Sequence, residues 1–366
     1  MAKSVGVIGG GQLARMMITP AKALGIDIKV LAETEGSPAK QASTQVGDYN
    51  QLDVVREFAK TVDVITFDHE HVPLNILETL ESEGVVVEPS SKALRFAQNK
   101  LDMRAKLAEL GVPCPAWAKI TKPEELDNFI HSHGGIAILK TPTGGYDGKG
   151  VKVVQSSADA SDWLEKGEPL LVEEKVNFTR ELAQLSARNR SGSWSSWNLV
   201  ETIQKDGVCA EVNSPAPNAN FELASQIAKT IAFGLDVTGV LAVELFETED
   251  GHLLVNELAM RPHNSGHFSI EGSTTSQFEQ HLRAVSDTTL GDTSPTRTYS
   301  VMLNLLGQDD ANDFGQEDRE VDGASVHVYG KAPRAGRKMG HITAISNESL
   351  ADAREIASKV WKGLQA

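Results

Sequence analysis

Glycine and lysine are concentrated in one short stretch, residues 139–151, which reads Leu-Lys-Thr-Pro-Thr-Gly-Gly-Tyr-Asp-Gly-Lys-Gly-Val. Glycine lets successive backbone N–H groups converge on an anion, and lysine adds a mobile point charge suited to a terminal phosphate. The stretch is not a P-loop, because Gly144 to Lys149 is one residue short and Gly150 replaces the magnesium-binding Ser or Thr. Residues 135–140 and 151–155 predict two strands, so the loop is expected at the tip of a hairpin that closes over a nucleotide. A flexible glycine turn with solvated lysines is the alternative.

A second hairpin is predicted to bring two carboxylates together. Asp250-Gly251 between apolar runs is a strong two-residue turn signal. With that turn, Glu244 lies opposite Glu257 on one face of adjacent strands, where two carboxylates repel unless a cation lies between them. Magnesium prefers one or two carboxylates plus nucleotide phosphates, and Asn256 could assist from the neighbouring position. The alternative is a pair of solvent-facing glutamates, but the apolar residues 240–246 favour a buried strand.

Two further segments carry polar groups suited to anions. Residues 261–267, Arg-Pro-His-Asn-Ser-Gly-His, could neutralise a developing oxyanion or move a proton. Residues 329–341 place four cations on a glycine-containing loop in an acidic protein, which suits a phosphorylated small substrate. A solvated basic loop is the alternative for the second segment.

The N-terminal segment contains a glycine pattern that admits two interpretations. Residues 9–14 satisfy G-x-G-x-x-A between a predicted strand and helix, and Glu33 ends the second strand where a ribose-binding acid would lie. This would indicate NAD(P). Glycine turns before helices bind many phosphates, however, so a phosphate or substrate role for Gly11, Gln12 and Leu13 is the preferred hypothesis.

The periodicity of the apolar residues predicts the elements that position these groups. Alternating strands and helices up to residue 87 indicate a parallel sheet flanked by helices, and a larger antiparallel sheet is expected further on. The predicted strands are 4–8, 28–32, 62–67, 85–87, 181–188, 194–203 and 324–329. The predicted helices include 12–24, 53–60, 91–110, 219–233 and 350–364. The segment Gly-Val-Pro-Cys-Pro from Gly111 is interpreted as a domain boundary.

The bulk composition limits the classes of function. The formal net charge is −15, which argues against non-specific nucleic-acid binding. Only Cys114 and Cys209 occur, with no metal-type spacing, which suits a reducing compartment. No apolar run approaches the length of a signal sequence or a bilayer span, so we expect a cytoplasmic protein without membrane contact.

Taken together, the motifs resemble the 5-(carboxyamino)imidazole ribonucleotide synthases, the ATP-grasp carboxylases of bacterial purine biosynthesis. The resemblance runs in order over nearly the whole chain. It lies in Gly9-Gly10-Gly11-Gln12-Leu13, Gln98-Asn99-Lys100, Lys140 with 145–150, Asn256-Glu257, 261–267 and Gly336-Arg337-Lys338-Met339-Gly340-His341. Two positions depart from the family pattern: Gln204 stands where a histidine is expected, and Asp68 is shorter than the expected glutamate.

The resemblance implies roles for individual residues. It assigns ATP to Lys100, Lys140, Gly145, Tyr146, Asp147, Gly148, Lys149, Gly150, Val151, Glu173, Glu174, Lys175, Val176, Glu181, Gln204, Asn256 and Glu257. It assigns magnesium to Glu244 and Glu257. It assigns the aminoimidazole nucleotide to Gln12, Leu13, Glu70, His263, Asn264, Ser265, Lys331, Arg337 and Lys338. The reacting groups would fall to Arg261, His263, Tyr146 and Asp147.

The resemblance also implies the fold and the reaction. The fold would be α/β and α+β, an ATP-grasp fold with a Rossmann-like N-terminal domain (1–111), a lid (112–176) and a large domain (177–366) whose substrate-phosphate segment begins near 320. ATP, bicarbonate and 5-aminoimidazole ribonucleotide would give the N-carboxylated nucleotide, without biotin or NAD, in a homodimer. A ligase joining a carboxylic acid to an amine, a formate-using relative, a nicotinamide oxidoreductase and a non-catalytic nucleotide sensor remain open.

Overall fold

The computed structural model describes residues 3–144, 150–205, 207–307, 314 and 318–365. The loop residues Gly145, Tyr146, Asp147, Gly148 and Lys149, to which the sequence assigns roles, lie outside these ranges. Within the described ranges, none of the helices combines the length and the apolar character needed to cross a bilayer.

The N-terminal part is a four-stranded parallel sheet in the order β3-β2-β1-β4. Its strands are β1 (Ser4–Ile8), β2 (Asp27–Ala32), β3 (Ser43–Val46) and β4 (Val64–Phe67). Its helices are α1 (Gln12–Leu24), α2 (Leu52–Ala59), α3 (Leu74–Ser82), α4 (Ser91–Gln98) and α5 (Lys100–Glu109). The predicted parallel sheet is confirmed. The predicted strand 85–87 is reduced to one isolated bridge between Ile65 and Val87, and β3 was not predicted.

The predicted helix 91–110 is wrong in one respect, because the chain forms two helices there. Asn99 has φ −125° and ψ 110°, which is extended backbone, and its side-chain oxygen accepts hydrogen bonds from the N–H groups of Leu101 and Asp102. Asparagine is a preferred N-cap residue, and here it starts α5 at Lys100. The break therefore aims the first turn of α5, and Lys100 with it, in a direction separate from α4.

The middle part is a small antiparallel sheet in the order β5-β8-β6-β7. Its elements are β5 (Trp117–Ile120), α6 (Pro123–Ser132), β6 (Ala137–Lys140), β7 (Val151–Val154), α7 (Ser161–Leu164) and β8 (Leu170–Glu174). Lys140 pairs with Val151, so the predicted hairpin around the glycine-rich stretch is confirmed.

The remaining strands form one ten-stranded sheet in the order β14-β13-β9-β11-β12-β15-β18-β17-β16, with β10 paired to β9. Its strands are β9 (Phe178–Arg188), β10 (Trp194–Ser196), β11 (Val200–Lys205), β12 (Val208–Ser214), β13 (Gly239–Thr248), β14 (Leu253–Ala259), β15 (Tyr299–Leu306), β16 (Arg319–Val321), β17 (Ala324–Val328) and β18 (Lys338–Ser346). Its helices are α8 (Phe221–Gly234), α9 (Ser269–Gly272), α10 (Gln277–Val285) and α11 (Leu350–Gln365). The predicted strand 194–203 is divided into β10 and β11, and the predicted basic loop becomes a strand from Lys338.

The mostly buried imidazole of His327 connects β17 to α9. His327 Nε2 lies 2.6 Å from Glu271 Oε1 on α9, and His327 Nδ1 lies 3.0 Å from Asp318 Oδ2. Burial alone would lower the pKa of His327, but the hydrogen bonds to Asp318 and Glu271 outweigh it and raise the pKa to about 9. At neutral pH this histidine is therefore a cation between two carboxylates.

This arrangement predicts a loss of stability in mild alkali. The folded-state pKa of His327 exceeds the unfolded value of about 6.5, so its contribution is complete below pH 6.5 and is lost as the pH rises through about 9. We expect a contribution of about 1–2 kcal/mol after solvent screening at the half-exposed Asp318. Between pH 6.5 and 9.5 the wild-type Tm should fall by about 2 °C more than that of His327→Gln. His131→Gln, at an exposed position, is the control and should follow the wild type; equal falls for all three proteins would refute the role.

Candidate active site

A cavity of about 930 Å³ lies where the three sheets meet. Most of the described residues that the sequence assigned to a site line this cavity. They are Gln12, Leu13, Glu70, Lys100, Lys140, Val151, Glu173, Glu174, Lys175, Val176, Glu181, Gln204, Glu244, Asn256, Glu257, Arg261, His263, Asn264, Ser265 and Lys338. Gly150, Lys331 and Arg337 are not part of the lining.

The two predicted metal ligands face each other. Glu244 on β13 and Glu257 on β14 are register partners, and the Glu244 carboxylate keeps about a third of its surface (34%) exposed to the cleft. Burial and the neighbouring charges of Glu257 and Glu181 raise the pKa of Glu244 to about 7. Lys100 Nζ lies 3.3 Å from Glu257 Oε1. Two facing carboxylates supply oxygen ligands that fit a hard divalent cation, and Lys100 offsets one of their two charges.

The pairing of Glu244 with Glu257 was predicted correctly, but the turn and the register nearest to it were not. Glu247 pairs with Leu253, and Thr248 N donates to His252 O at 3.0 Å, so the turn holds three residues, 249–251, rather than two. Gly251 has φ +77°, the left-handed conformation that three-residue hairpins require. A bulge next to Glu244 then adds one residue on β14 and restores the predicted partner.

Among the described residues, no group of three or more His, Cys, Asp or Glu side chains is arranged to hold a metal ion. Two carboxylates alone are the expected protein share of a magnesium site whose other ligands are phosphates and water. The geometry of Glu244 and Glu257 therefore fits a cation that arrives with a nucleotide.

Two lysines approach the same region, one from a helix and one from a strand. Lys100, at the start of α5, donates to Gly144 O at 3.3 Å as well as contacting Glu257. Lys140, at the end of β6, donates to Asn256 Oδ1 at 3.3 Å and lies 2.6 Å from Glu173 Oε2. Both side chains are mostly buried, with 13% of the surface exposed. They give the cleft the paired cations that a triphosphate needs.

The Glu173 side chain is held between two cations. Its carboxylate is 3% exposed and holds Lys140 on one oxygen and Arg104 on the other, so only its backbone is available to a base. Sequence reasoning missed Arg104. Its position four residues after Lys100 puts both cations on one face of α5, and that spacing was the available signal.

The end of β8, the start of β9 and Phe246 on β13 line one side of the cleft. Glu174 Oε1 accepts from Ala116 N at 2.8 Å, which fixes the strand end beside Lys175 and Val176. Phe178 and Phe246 stack with ring centroids 4.6 Å apart. Burial raises the pKa of Glu181, and Gln204 Nε2 donates to Glu181 Oε2 at 3.1 Å. Gln204, which stands where a histidine is expected, thus contacts Glu181, an acid assigned to ATP.

The segment 261–267 is fixed by a buried glutamine on α10. Gln277 Oε1 accepts from His263 N, and Gln277 Nε2 donates to His263 O, each at 2.8 Å. His263 Nδ1 lies 2.9 Å from Ser265 Oγ, and His263 Nε2 lies 3.4 Å from Glu244 Oε1. Burial, with Arg261 and Lys338 nearby, lowers the pKa of His263 to about 3, so the imidazole is neutral at pH 7. Gln277 gave no sequence signal, because its contacts depend on the tertiary packing of α10.

Other side chains of this segment are also held by neighbours. Glu70 Oε1 accepts from Met260 N at 2.6 Å, and Glu70 Oε2 lies 3.3 Å from Arg261 Nε. Asn264 exchanges two hydrogen bonds with Asn304, at 3.0 and 2.8 Å. Glu70 therefore joins the N-terminal sheet to the end of β14 and orients Arg261.

The basic segment contacts the N-terminal domain at Lys331. Lys331 Nζ donates to Gln12 Oε1, which connects the two regions assigned to the same substrate. Lys338 lines the cleft, whereas Arg337 Nη1 donates to Ala332 O at 3.1 Å outside the lining.

The glycine turn before α1 is occupied by protein carboxylates. Gly10 N donates to Glu33 Oε2 at 3.0 Å, and Ala14 N donates to Asp68 Oδ1 at 2.7 Å. The interaction with His69 lowers the pKa of Glu33 to about 2. A Cβ on Gly11 would lie 2.0 Å from Asp68 Oδ2, so the glycine serves the close approach of this acid. A dinucleotide pyrophosphate here would have to displace two acids, which argues against the nicotinamide hypothesis.

Comparison with known proteins gives the family. Residues 1–98 match the ribonucleotide synthetase preATP-grasp domain, 105–278 the ATP-grasp domain, and 300–355 the phosphoribosylaminoimidazole carboxylase C-terminal domain. The N5-carboxyaminoimidazole ribonucleotide synthase of Mycobacterium tuberculosis is 46% identical over 98% of this chain and 87% of its own length. The chain belongs to the N5-carboxyaminoimidazole ribonucleotide synthase family. The fold is the ATP-grasp fold, as predicted.

Other members of the N5-carboxyaminoimidazole ribonucleotide synthase family agree. The Corynebacterium ammoniagenes enzyme is 43% identical over 96% of this chain and 89% of its own length. A solved Aspergillus clavatus structure in complex with ADP and 5-aminoimidazole ribonucleotide has a TM-score of 0.89 and 34% identity, covering 100% of this chain and 99% of that one.

Proposed function

We propose that this chain uses ATP and bicarbonate to carboxylate the amine of 5-aminoimidazole ribonucleotide. The chain is an ATP-dependent ligase of purine biosynthesis, which its membership of the family supports. The observation that carries the proposal is the single cleft in which the lysines Lys100 and Lys140, the acids Glu244 and Glu257, and the segment 261–267 meet.

The residues that line one end of the cleft suit the parts of ATP. The strand end at 173–176 would pair with the adenine edge through its backbone, Phe178 and Phe246 would cover an apolar face, and Glu181 would accept a ribose hydroxyl. Lys100 and Lys140 would bind the phosphates, with Gly150 and Val151 at the base of the glycine-rich loop. Magnesium bound by Glu244 and Glu257 would neutralise charge on the β- and γ-phosphates.

The reacting end requires groups that stabilise an anion and exclude water. Bicarbonate is a poor electrophile, and transfer of the γ-phosphate to it would give carboxyphosphate and ADP. Arg261, fixed by Glu70, would hold that anion, and the neutral His263 would orient it by hydrogen bonding. The substrate amine would then attack the activated carbon and release phosphate. Carboxyphosphate decomposes in water, so a site that excludes water suits this chemistry, and the reacting roles of Tyr146 and Asp147 stay predictions from the sequence.

The aminoimidazole nucleotide would lie between the N-terminal domain and β18. Gln12, Leu13 and Glu70 would contact its base and ribose, together with Asn264 and Ser265. Its phosphate would bind Lys331, Arg337 and Lys338. A homodimer, a cytoplasmic location, the absence of nucleic-acid binding and the domain limits at residues 111 and 176 stay predictions from the sequence.

Release of ADP tests the proposal. Rapid release should require ATP, bicarbonate and 5-aminoimidazole ribonucleotide together, and labelled bicarbonate should enter the product. Formate with glycinamide ribonucleotide should give no turnover, which separates the enzyme from the formate-using relative. Turnover without bicarbonate, or with another carboxylic acid in its place, would contradict the proposal.

A further inference from the structure

Arg104 is fully buried, although no role has been assigned to it above. Its side chain is 0% exposed on α5, behind the wall of the cleft. Arg104 Nε donates to Glu173 Oε1 at 2.5 Å, and Arg104 Nη2 donates to Asn256 O at 2.7 Å. A buried guanidinium is costly unless its donors are satisfied, and here they join α5 to β8 and β14.

The partners of Arg104 are the same groups that hold Lys140. Glu173 offers one carboxylate oxygen to Arg104 and the other, at 2.6 Å, to Lys140 Nζ. Asn256 accepts from Arg104 through its backbone and from Lys140 through its side chain. Every contact of Lys140 in this network therefore belongs to a residue that Arg104 also touches.

The charges of this group decide what Lys140 can offer to an anion. Two cations share one carboxylate, so Arg104, Lys140 and Glu173 carry a net charge of +1. Burial alone would raise the pKa of Glu173, but Arg104 and Lys140 outweigh it and keep the pKa below its ordinary value, so the acid is ionised. Without Arg104, Lys140 and Glu173 would form a neutral pair.

We propose that Arg104 is a positioning residue that occupies Glu173 and so leaves the charge of Lys140 available to the ATP phosphates. The inference rests on the proposed role of Lys140. Arg104 also fixes the strand end that faces the adenine, because Glu173 is the residue it holds.

Arg104→Met tests the inference through the steady-state constants. It should raise KM for ATP about tenfold while kcat and KM for 5-aminoimidazole ribonucleotide change less than about threefold. Arg104→Lys should raise KM for ATP by less. The lysine ammonium keeps the positive charge, but it lacks the planar set of donors with which the guanidinium binds Glu173 and Asn256 together.

Restoring the charge separates electrostatics from packing. In Arg104→Met with Glu173→Gln, Lys140 again carries an unshared charge, so KM for ATP should return to within about threefold of the wild type. A merely structural role predicts that the double variant binds ATP no better than the single one. That result, or an equal rise in KM for both nucleotides, would overturn the inference.

Arg190→Met is a control for the loss of an arginine–carboxylate pair away from the cleft, at a side chain that is 53% exposed. Arg190 Nη2 lies 2.5 Å from Oε1 of Glu88, a carboxylate that is 9% exposed, and neither residue lines the cleft. The Arg190→Met substitution should lower Tm without changing KM for ATP. If Arg104→Met does not fold, Arg104→Lys and the double variant carry the test. Lys140→Ala tests the underlying role: an unchanged KM for ATP would refute that role, whereas a raised KM with no effect at Arg104 would refute only this inference.

Discussion

Glu257→Gln is expected to lower kcat for ADP release by about a hundredfold or more. The amide keeps the size of the side chain but removes one of the two charges that face each other across β13 and β14. A metal at transferring phosphates is worth several kcal/mol of transition-state stabilisation, and about 3 kcal/mol corresponds to a factor of more than a hundred. The rate should be measured with saturating ATP over a magnesium titration, where the variant should also need more magnesium.

Glu249→Gln provides the control on the same hairpin. Glu249 is exposed in the turn beyond the end of β13. Its substitution removes the same charge at a site away from Glu244. It should leave both kcat and the magnesium requirement unchanged. If Glu257→Gln turned over at the wild-type rate at the magnesium concentration that the wild type needs, Glu244 and Glu257 would not be the metal ligands.

Arg261→Met is expected to lower formation of the carboxylated product by about a hundredfold or more, with little change in KM for ATP. Arg261 is 12% exposed, and Glu70 Oε2 lies 3.3 Å from its Nε, so the cation is fixed where a small anion would form. Removing one preorganised group that stabilises a developing anion typically costs a factor of about 10²–10³. ADP and carboxylated product should be measured together, because loss of the anion site should leave more ADP than product.

Arg297→Met, at an exposed position, controls for the loss of one positive charge. Arg261→Lys should form more carboxylated product than Arg261→Met but less than the wild type, because the positive charge remains and the planar guanidinium is lost. A normal ratio of product to ADP in Arg261→Met would show that the anion is held elsewhere.

Local patterns in the sequence were enough to predict the two hairpins that carry the charged groups. The strand pair around residues 139–151 and the pairing of Glu244 with Glu257 were both predicted, because turn residues and alternating apolar positions act over short distances. The Glu257 case also shows the limit of this reasoning. The turn is one residue longer than expected, and a bulge that no local pattern indicated compensates for it.

The supporting side chains could not be predicted in the same way. Arg104 and Gln277 act through contacts with strands and segments far away in the chain, and their surroundings exist only after the sheets have packed. The glycine turn before α1 was ambiguous for the same reason. Whether its amides meet a phosphate or a protein acid depended on Asp68, which arrives from β4.

The continuity of the large sheet has a mechanical consequence for catalysis. β13 and β14, which carry the opposed acids, and β18, which begins at Lys338, belong to one ten-stranded sheet, whereas the glycine-rich hairpin belongs to a separate four-stranded sheet. A swing of the smaller sheet would open or seal the cleft without altering the span between the acids and Lys338. The two acids and Lys338 would thus keep their spacing, while the groups of β6 and β8 that contact ATP would move with the smaller sheet.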